Sequence, residues 1–200
     1  MNPAVYQMAR KPAPIAVTRR RDFAKVEVAA APEIVTVDRA TECHVTPSEV
    51  AARMVAYLGP VGDYLTLEPS AGTGNLTRAL LESGHSRFEL CQVERHNTMA
   101  ARLAQYGPVI NRCFLEYAEE ARGKVEFPRI IMNPPFSTVK RHIAAAVSLM
   151  GRGGHSEPAT LVALVPITFE RDGFETLERL PSDTFGTAQV HTKIVRYRQA

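Results

Sequence analysis

From residue 46 onward, short apolar segments alternate with segments of helical periodicity, and this alternation restricts the fold more than any other feature of the chain. Short strands that alternate with helices of about ten residues are typical of β-α-β units and of a mostly parallel sheet covered on both faces. Ligands of such sheets bind at the carboxyl ends of the strands, so the residues after each strand are the candidates for function. We predict strands at residues 64–67, 88–93, 109–111, 130–132, 161–165 and 190–197, and helices at 46–58, 76–83, 97–106, 138–150 and 173–180.

The first predicted strand is followed by the sequence LEPSAGTGNL, which opens a helix. Gly72 and Gly74 allow a tight turn and let a ligand approach the bare backbone. Glu68 is placed to accept a hydrogen bond from a cationic or hydroxyl group. A dinucleotide fingerprint would have a third glycine where this chain has Thr77. The stretch predicts a ligand-binding turn of another kind, and a purely structural turn is the alternative.

The next two strand ends also carry candidate ligand contacts. Glu94 ends the second strand, 20 residues after Gly74. A carboxylate at this place can accept hydrogen bonds from the two hydroxyls of a ribose. Phe114, after the third strand, could pack against a purine ring or close the hydrophobic core.

The fourth strand ends in the sequence NPPF, from Asn133 to Phe136. Pro134 and Pro135 fix the backbone and remove two N–H donors, so their carbonyls can only accept. The Asn133 side-chain oxygen beside them is a second acceptor, and two adjacent acceptors suit an NH₂ group. Accepting both N–H bonds would offset the charge that develops when this nitrogen attacks. Phe136 offers a flat face for a base, and a plain proline turn is the alternative.

Together these motifs resemble the class I S-adenosylmethionine-dependent methyltransferases, in particular the amino-methyltransferases of the N6-adenine type. LEPSAGTG is similar to their motif I, Glu94 to their ribose-binding acid and NPPF to their motif IV. TPSEVAARM is similar to their upstream cofactor segment, and FGTAQVHTKIVRYR to their closing hairpin. The resemblance covers residues 44–198. It implies an α/β fold with a Rossmann-like, doubly wound, mostly parallel seven-stranded sheet and an antiparallel closing strand.

The resemblance also implies the site residues and the reaction. Asn133 and the Pro134 carbonyl would hold the target amine, and Phe136 would stack on the target base. Methyl transfer would be direct and in line, without a covalent intermediate or a metal. The residues that would bind the cofactor S-adenosylmethionine are Thr46, Pro47, Glu68, Pro69, Ser70, Gly72, Gly74, Glu94, Cys113 and Phe114.

Two departures from the family pattern bear on function. The family usually has an aspartate before the phenylalanine of the third strand end, where it binds the cofactor's adenine amine, and this chain has Cys113. A thiol is a poor acceptor, and Asn111 is a candidate to compensate. The family's sequence-specific DNA enzymes carry a separate recognition domain. We expect recognition here to come from inserted loops, a partner protein or a basic N-terminal arm.

Residues 1–40 are that arm, rich in proline, alanine and arginine with one or two possible peripheral strands, and residues 41–200 are predicted to form the methyltransferase domain. Residues 1–25 hold six basic residues and one acidic residue, whereas the whole chain has a net charge of +3. Basic arms often contact nucleic acid through its phosphates. Arg19, Arg20 and Arg21 are therefore predicted to bind nucleic acid, and a solvated tail is the alternative.

Composition limits the classes of protein to which the chain can belong. The chain is 45% hydrophobic and 22% charged, which is typical of soluble globular proteins. No apolar run approaches the ~18 residues of a membrane span, and no secretory leader follows Met1. Three widely spaced cysteines without a C-x-x-C pair fit a reducing compartment and no metal site, so we expect a cytoplasmic protein.

The leading interpretation is methylation of adenine N6 in nucleic acid, with DNA favoured over RNA. Methylation of a protein glutamine, a catalytically silent cofactor-binding module and a nicotinamide oxidoreductase are the alternatives. The intact NPPF argues against the silent module, and Thr77 argues against the oxidoreductase. His142 is predicted to lie on a solvated helix face, and residues 151–158 are predicted to form a connecting loop.

Overall fold

The structure of the protein is a computed structural model that describes residues 45–185 and 191–200. Short helices and strands alternate through this part of the chain, as the sequence predicts. The helices are α1 (Ser48–Leu58), α2 (Asn75–Glu82), α3 (Asn97–Leu103), α4 (Phe114–Ala121) and α5 (Val139–Val147), with a 3₁₀ turn at Phe136–Thr138. The strands are β1 (Thr66–Pro69), β2 (Leu90–Val93), β3 (Val109–Ile110), β4 (Arg129–Met132), β5 (Ala159–Pro166), β6 (Glu175–Arg179) and β7 (Thr192–Gln199).

Within the described residues these strands form one seven-stranded sheet in the order β3-β2-β1-β4-β5-β7-β6. The first five strands are parallel, and β7 lies antiparallel between β5 and β6. The chain runs outward from β1 to β3 and then returns to place β4 on the other side of β1. The order therefore reverses between β1 and β4, which is where open α/β sheets bind ligands. The predicted fold class is confirmed.

The core consists of two hydrophobic clusters on opposite faces of the sheet. Alternate residues of a strand point to opposite faces, and β5 divides accordingly: Leu161 and Ala163 join one cluster, Val162 and Leu164 the other. The first cluster packs against α4 and α5, and the second against α1 and α2. Every residue of β1 and β4 is buried, so the strands that flank the reversal point are held from both sides.

The amino end of β4 carries a buried cation. Arg129 is 3% exposed, its Nη1 donates to the carbonyls of Pro128 and Pro158, and its guanidinium lies 4.0 Å from the ring centroid of Tyr64. These contacts tie the start of β4 to neighbouring loops at the end of the sheet away from the strand carboxyl ends.

Several sequence predictions differ from the structure: among them, β1 lies at Thr66–Pro69 rather than at residues 64–67, and α3 ends at Leu103 rather than at residue 106. The helix predicted at 173–180 is the strand β6, because pairing with β7 overrides the helical propensity of its glutamate and leucine residues. Helix α4 was not predicted. The strand predicted from residue 88 begins only at Leu90, and Phe88 before it is 83% exposed. The helix predicted at 138–150 is shorter, because a 3₁₀ turn precedes α5 and the helix ends at Val147.

Several predictions concern residues outside the described part of the chain. They are the basic arm with Arg19, Arg20 and Arg21, its possible strands, the domain boundary at residue 40 and the first residues of the closing hairpin, which stay predictions. Among the helices of residues 45–185 and 191–200, none is long and apolar enough to cross a membrane.

Candidate active site

A cavity of about 370 Å³ lies at the carboxyl ends of β1, β2, β3 and β4. Pockets of this size are typical of small-molecule sites. The structure brings most of the predicted site residues to its wall: Thr46, Glu68, Ser70, Gly72, Glu94, Cys113, Phe114 and Asn133. It does not place Pro47, Pro69, Gly74, Pro134 or Phe136 there, although each is close in sequence to a residue that does line the wall.

The turn after β1 adopts a strained backbone. Ser70 has φ 57° and Gly72 has φ 56°, both in the left-handed region that non-glycine residues rarely adopt. Gly74 also has a positive φ, and a Cβ there would lie 2.7 Å from Cδ2 of Leu103. Gly72 therefore bends the backbone at the cavity wall, whereas Gly74 allows this turn to pack against α3.

Glu94 joins the turn after β1 to the turn after β2. Its side chain is 5% exposed, and its two oxygens accept from the backbone N–H groups of Gly72 and His96, each at 2.8 Å. A carboxylate oxygen has two lone pairs, so these bonds leave capacity toward the cavity. Glu94 thus fixes the shape of the cavity and contributes an anionic acceptor to its wall.

Glu68 is held in a buried hydrogen-bond chain. The Thr77 hydroxyl contacts both Oε2 of Glu68 and, at 2.9 Å, Oε1 of Gln92. A hydroxyl has one hydrogen to donate, so both contacts are satisfied when Glu68 carries a proton and donates to Thr77. Burial raises the pKa of Glu68 to about 8, and the charge of Glu94 adds to the rise, although the hydrogen bond that Thr77 can donate to the ionised carboxylate opposes it. Without a bound cation, Glu68 is therefore mostly neutral at pH 7.

An aromatic pair forms the wall beyond β3. Phe114 is 3% exposed and stacks on the ring of His142, with 5.9 Å between centroids. The prediction that His142 is solvated is wrong, because the unpredicted helix α4 brings Phe114 over it. Nδ1 of His142 lies 3.1 Å from the Thr138 hydroxyl, and burial lowers the pKa of the imidazole. The two stacked rings therefore give this wall a flat surface, and burial favours the neutral form of the imidazole.

Cys113 occupies the residue position before α4 without a capping hydrogen bond from its side chain, and it lines the same wall as Phe114. Asn111, the candidate to compensate for the missing aspartate, does not line the cavity. Its amide nitrogen donates to the carbonyls of Glu94 and Arg95, at 2.8 and 3.2 Å. Asn111 thus joins the ends of β2 and β3. At the position where the family pattern has an aspartate, the residue that lines the cavity is Cys113.

Asn133 follows β4 and is half-buried at the cavity wall. Its Nδ2 donates to the hydroxyl of Thr46 at 3.0 Å, which makes Oδ1 the acceptor of this side chain. The Thr46 carbonyl in turn accepts from Nδ2 of Asn75 at 2.6 Å. The segment before α1 therefore contacts both the turn after β1 and the end of β4.

Sequence reasoning missed a group of cations at the cavity. Arg95 after β2, Arg112 after β3 and Arg141 of α5 line it and are exposed. Arg112 pairs with Glu120. Arg95 directly follows Glu94, which is the signal that could have identified it. Among the described residues, no cluster of His, Cys, Asp and Glu is placed to hold a metal ion.

Neither a protein-family model nor a curated protein matches the sequence, but solved structures do. The 23S rRNA methyltransferase ErmE is 19% identical, with a TM-score of 0.56 over 76% of this chain and 68% of that one. A modification subunit of a putative type I restriction enzyme from Vibrio vulnificus YJ016 is 17% identical, with a TM-score of 0.61 over 78% of this chain and 44% of its own.

A third similar structure is the magnesium protoporphyrin IX methyltransferase from Synechocystis PCC 6803 with bound S-adenosylmethionine. It is 13% identical, with a TM-score of 0.53 over 76% of this chain and 79% of that one. At these identities the likeness establishes the fold, which is the Rossmann-like fold that these methyltransferases share.

Proposed function

We propose that the protein is an S-adenosylmethionine-dependent methyltransferase that methylates N6 of adenine in nucleic acid, with DNA as the favoured substrate. The single observation that carries the proposal is the place of Asn133. It follows β4 at the wall of the cavity that also contains the strained turn after β1 and the carboxylate of Glu94. An amine acceptor and a candidate cofactor site thus share one cavity.

The residues of the cavity fit S-adenosylmethionine. Two carboxyl side chains, Glu68 and Glu94, line the wall and match a ligand with an ammonium and a sulfonium group. The flat pair of Phe114 and His142 matches an adenine ring. The fit is supported by the fold, because a structural neighbour holds this cofactor.

The chain's own residues would act mainly by positioning. When bound, S-adenosylmethionine would supply an electrophilic methyl group, whose bond to sulfur would be exchanged for a bond to the amine nitrogen, with the thioether as leaving group and one N–H proton lost to solvent. Oδ1 of Asn133 and the Pro134 carbonyl would each accept a hydrogen bond from one N–H of the amine. These bonds would orient the nitrogen lone pair toward the methyl group and offset the charge that develops on nitrogen. Phe136, which is close in sequence to Asn133 but not in the cavity wall, is proposed to stack on the target base. Holding the amine in place supplies much of the rate.

Two observations bear on the choice of nucleic acid. The neighbours include an rRNA methyltransferase and a restriction-modification subunit, so RNA is the second candidate. Arg95 and Arg141 are exposed at the cavity and offer contacts to phosphates of either polymer. The arm with Arg19, Arg20 and Arg21 is proposed to add to these contacts.

The test is transfer of a labelled methyl group from S-adenosylmethionine to duplex DNA, single-stranded DNA, RNA and protein, with nucleoside digestion of the product. We expect label in N6-methyladenine of DNA. Label in RNA adenine would identify RNA as the substrate. Label in glutamine would show that the protein is instead a protein methyltransferase. No transfer to any acceptor, in spite of cofactor binding, would identify a silent binding module.

Asn133→Ala should lower transfer about 100-fold or more, in the range seen when a group that stabilises transition-state charge is removed. Equilibrium dialysis should show nearly unchanged cofactor affinity, since Asn133 acts on the amine. Asn97→Ala, which alters an exposed asparagine at the start of α3, is the matched control. Wild-type transfer by Asn133→Ala would contradict the mechanism.

A further inference from the structure

Thr46 occupies an unusual place for a residue expected only to line a cofactor site. It is 5% exposed, lies two residues before α1 and contacts two functional segments at once. Its hydroxyl accepts from Nδ2 of Asn133 at 3.0 Å, and its carbonyl accepts from Nδ2 of Asn75 at 2.6 Å. A cofactor contact alone explains neither bond.

Asn75 belongs to the turn after β1. It is the first residue of α2, directly after Gly74, and its Oδ1 accepts from the Thr73 hydroxyl at 3.2 Å and from Arg78. Asn75 is therefore fixed by its own turn, and through the Thr46 carbonyl it also fixes the segment before α1. The hydroxyl of Thr46 then lies at a set distance from the end of β4.

The consequence for Asn133 is that its amide is held at one edge. An asparagine side chain can rotate about χ2 and exchange the positions of its oxygen and nitrogen. In the structure Nδ2 donates to the Thr46 hydroxyl, and in this orientation Oδ1, which can only accept, lies at the other edge of the amide. An NH₂ substrate needs this acceptor edge, since the opposite edge would place donor against donor.

We propose that Thr46 is a positioning residue, which holds the Asn133 amide for amine binding and links it to the turn after β1 through Asn75. The proposal rests on the proposed function and assigns Thr46 a role that acts through Asn133, in addition to any contact with the cofactor.

The first test compares Thr46→Val with Thr46→Ser. Valine has the shape of threonine without the oxygen, so kcat should fall about tenfold or more, as small displacements of reacting groups do. The cofactor Kd should stay within about threefold, since the cavity keeps its shape. Serine keeps the hydroxyl and should restore most of kcat. An unchanged kcat in Thr46→Val, or a loss confined to cofactor affinity, would overturn the proposal.

Thr66→Val is the matched control. Thr66 is the first residue of β1 and is 1% exposed, and its hydroxyl donates to the Tyr64 carbonyl at 3.0 Å. The variant therefore also loses a buried hydrogen bond of a threonine hydroxyl. It should lose stability like Thr46→Val and keep kcat. If both variants lost kcat equally, the effect would be general destabilisation and the proposal would be wrong.

A second readout does not depend on activity. The side-chain NH₂ resonances of Asn133, identified by their loss in Asn133→Ala, should shift in Thr46→Val and stay in place in Thr66→Val. If the wild type methylated no acceptor while these resonances responded, the contact would stand and the proposed function would fail. Resonances that ignored Thr46→Val would refute the contact itself.

Discussion

The cavity has two halves that are stabilised in different ways. The β1–β2 half, formed by residues 68–74 and by Glu94, is fixed by backbone geometry and by buried carboxyl groups that bond to neighbouring turns. The β4 half, formed by residues 133–136, is joined to the rest of the wall by the bond from Asn133 to Thr46. The bonds of Glu94 in the first half thus join residues close in sequence, whereas the bond of Asn133 in the second half joins residues 87 positions apart. Changes in the first should affect folding and binding, and changes in the second should affect turnover.

The largest effect on the β1–β2 half is expected from Glu94→Ala. The change leaves the N–H groups of Gly72 and His96 without their acceptor, which should cost about 2 kcal/mol or more of unfolding free energy. Cofactor affinity should fall about tenfold or more, because the turn at Gly72 loosens and an anionic acceptor is lost. Urea unfolding and equilibrium dialysis measure the two effects.

Glu119→Ala, an exposed position on α4, is the control and should change neither quantity. If Glu94→Ala lowered turnover but left stability and affinity intact, the division between the two halves would be wrong.

A pH dependence follows from Glu68 in the same half. Because folding raises its pKa from 4.5 to about 8, the folded state binds this proton more tightly than the unfolded state. The unfolding free energy should therefore fall, by a few kcal/mol, as the pH rises from about 4.5 to about 8. Glu94 and Arg78 are the charged groups near Glu68 that add to the slope or reduce it.

Glu68→Gln tests this prediction, since the glutamine amide can donate to Thr77 as the protonated acid does. Urea unfolding at pH 5.5, 7 and 8.5 should show a flatter dependence for this variant than for the wild type. Equal slopes for the two proteins would mean that Glu68 is ionised in the folded protein.

A smaller difference in stability is expected between alanine variants at a glycine that packs closely against a neighbour and at one that does not. Gly74→Ala and Gly84→Ala both place an alanine at a positive φ, but only the first meets a neighbour, Cδ2 of Leu103 at 2.7 Å. Gly74→Ala should therefore be less stable than Gly84→Ala by about 1–3 kcal/mol, the usual cost of overpacking. Thermal unfolding measures the difference. An equal loss of stability in the two variants would show that α3 moves to accommodate the added methyl group.

The smallest effect is expected at Cys113, which contacts the cavity from the end of β3. Cys113→Asp introduces the acceptor that the family pattern has at this position and should tighten cofactor binding by about threefold to tenfold, roughly one hydrogen bond. Cys113→Ser is the control, with a hydroxyl in place of the thiol. Equilibrium dialysis compares the three proteins, and weaker binding by the aspartate variant would place the adenine elsewhere.

The alternation of segments was sufficient to predict the parallel sheet, because buried parallel strands and amphipathic helices each leave a local pattern. It failed for β6, an edge strand whose residues are mostly exposed and gain strand structure only by pairing with β7. It also failed for α4, and the burial of His142 could not be predicted without that helix.

The strand ends identified most of the cavity wall for a related reason. In a parallel sheet, every residue that directly follows a strand lies at the carboxyl end of the sheet, as Glu94 and Asn133 do. The hydrogen bonds were not predictable: Asn111 could have faced the cavity or the backbone, and nothing local to Thr46 indicates Asn133.

The distance along the chain between Thr46 and Asn133 has a consequence for the order of folding. Their bond spans 87 positions, whereas the bonds of Glu94 span 22 and 2. Contacts of high sequence separation require the closure of longer loops and tend to form late. During synthesis, the bonds that Glu94 accepts from Gly72 and His96 join residues that have all emerged before β4 leaves the ribosome. The ability to hold an amine would arrive only after β4 has emerged, as one of the last properties that the growing chain acquires.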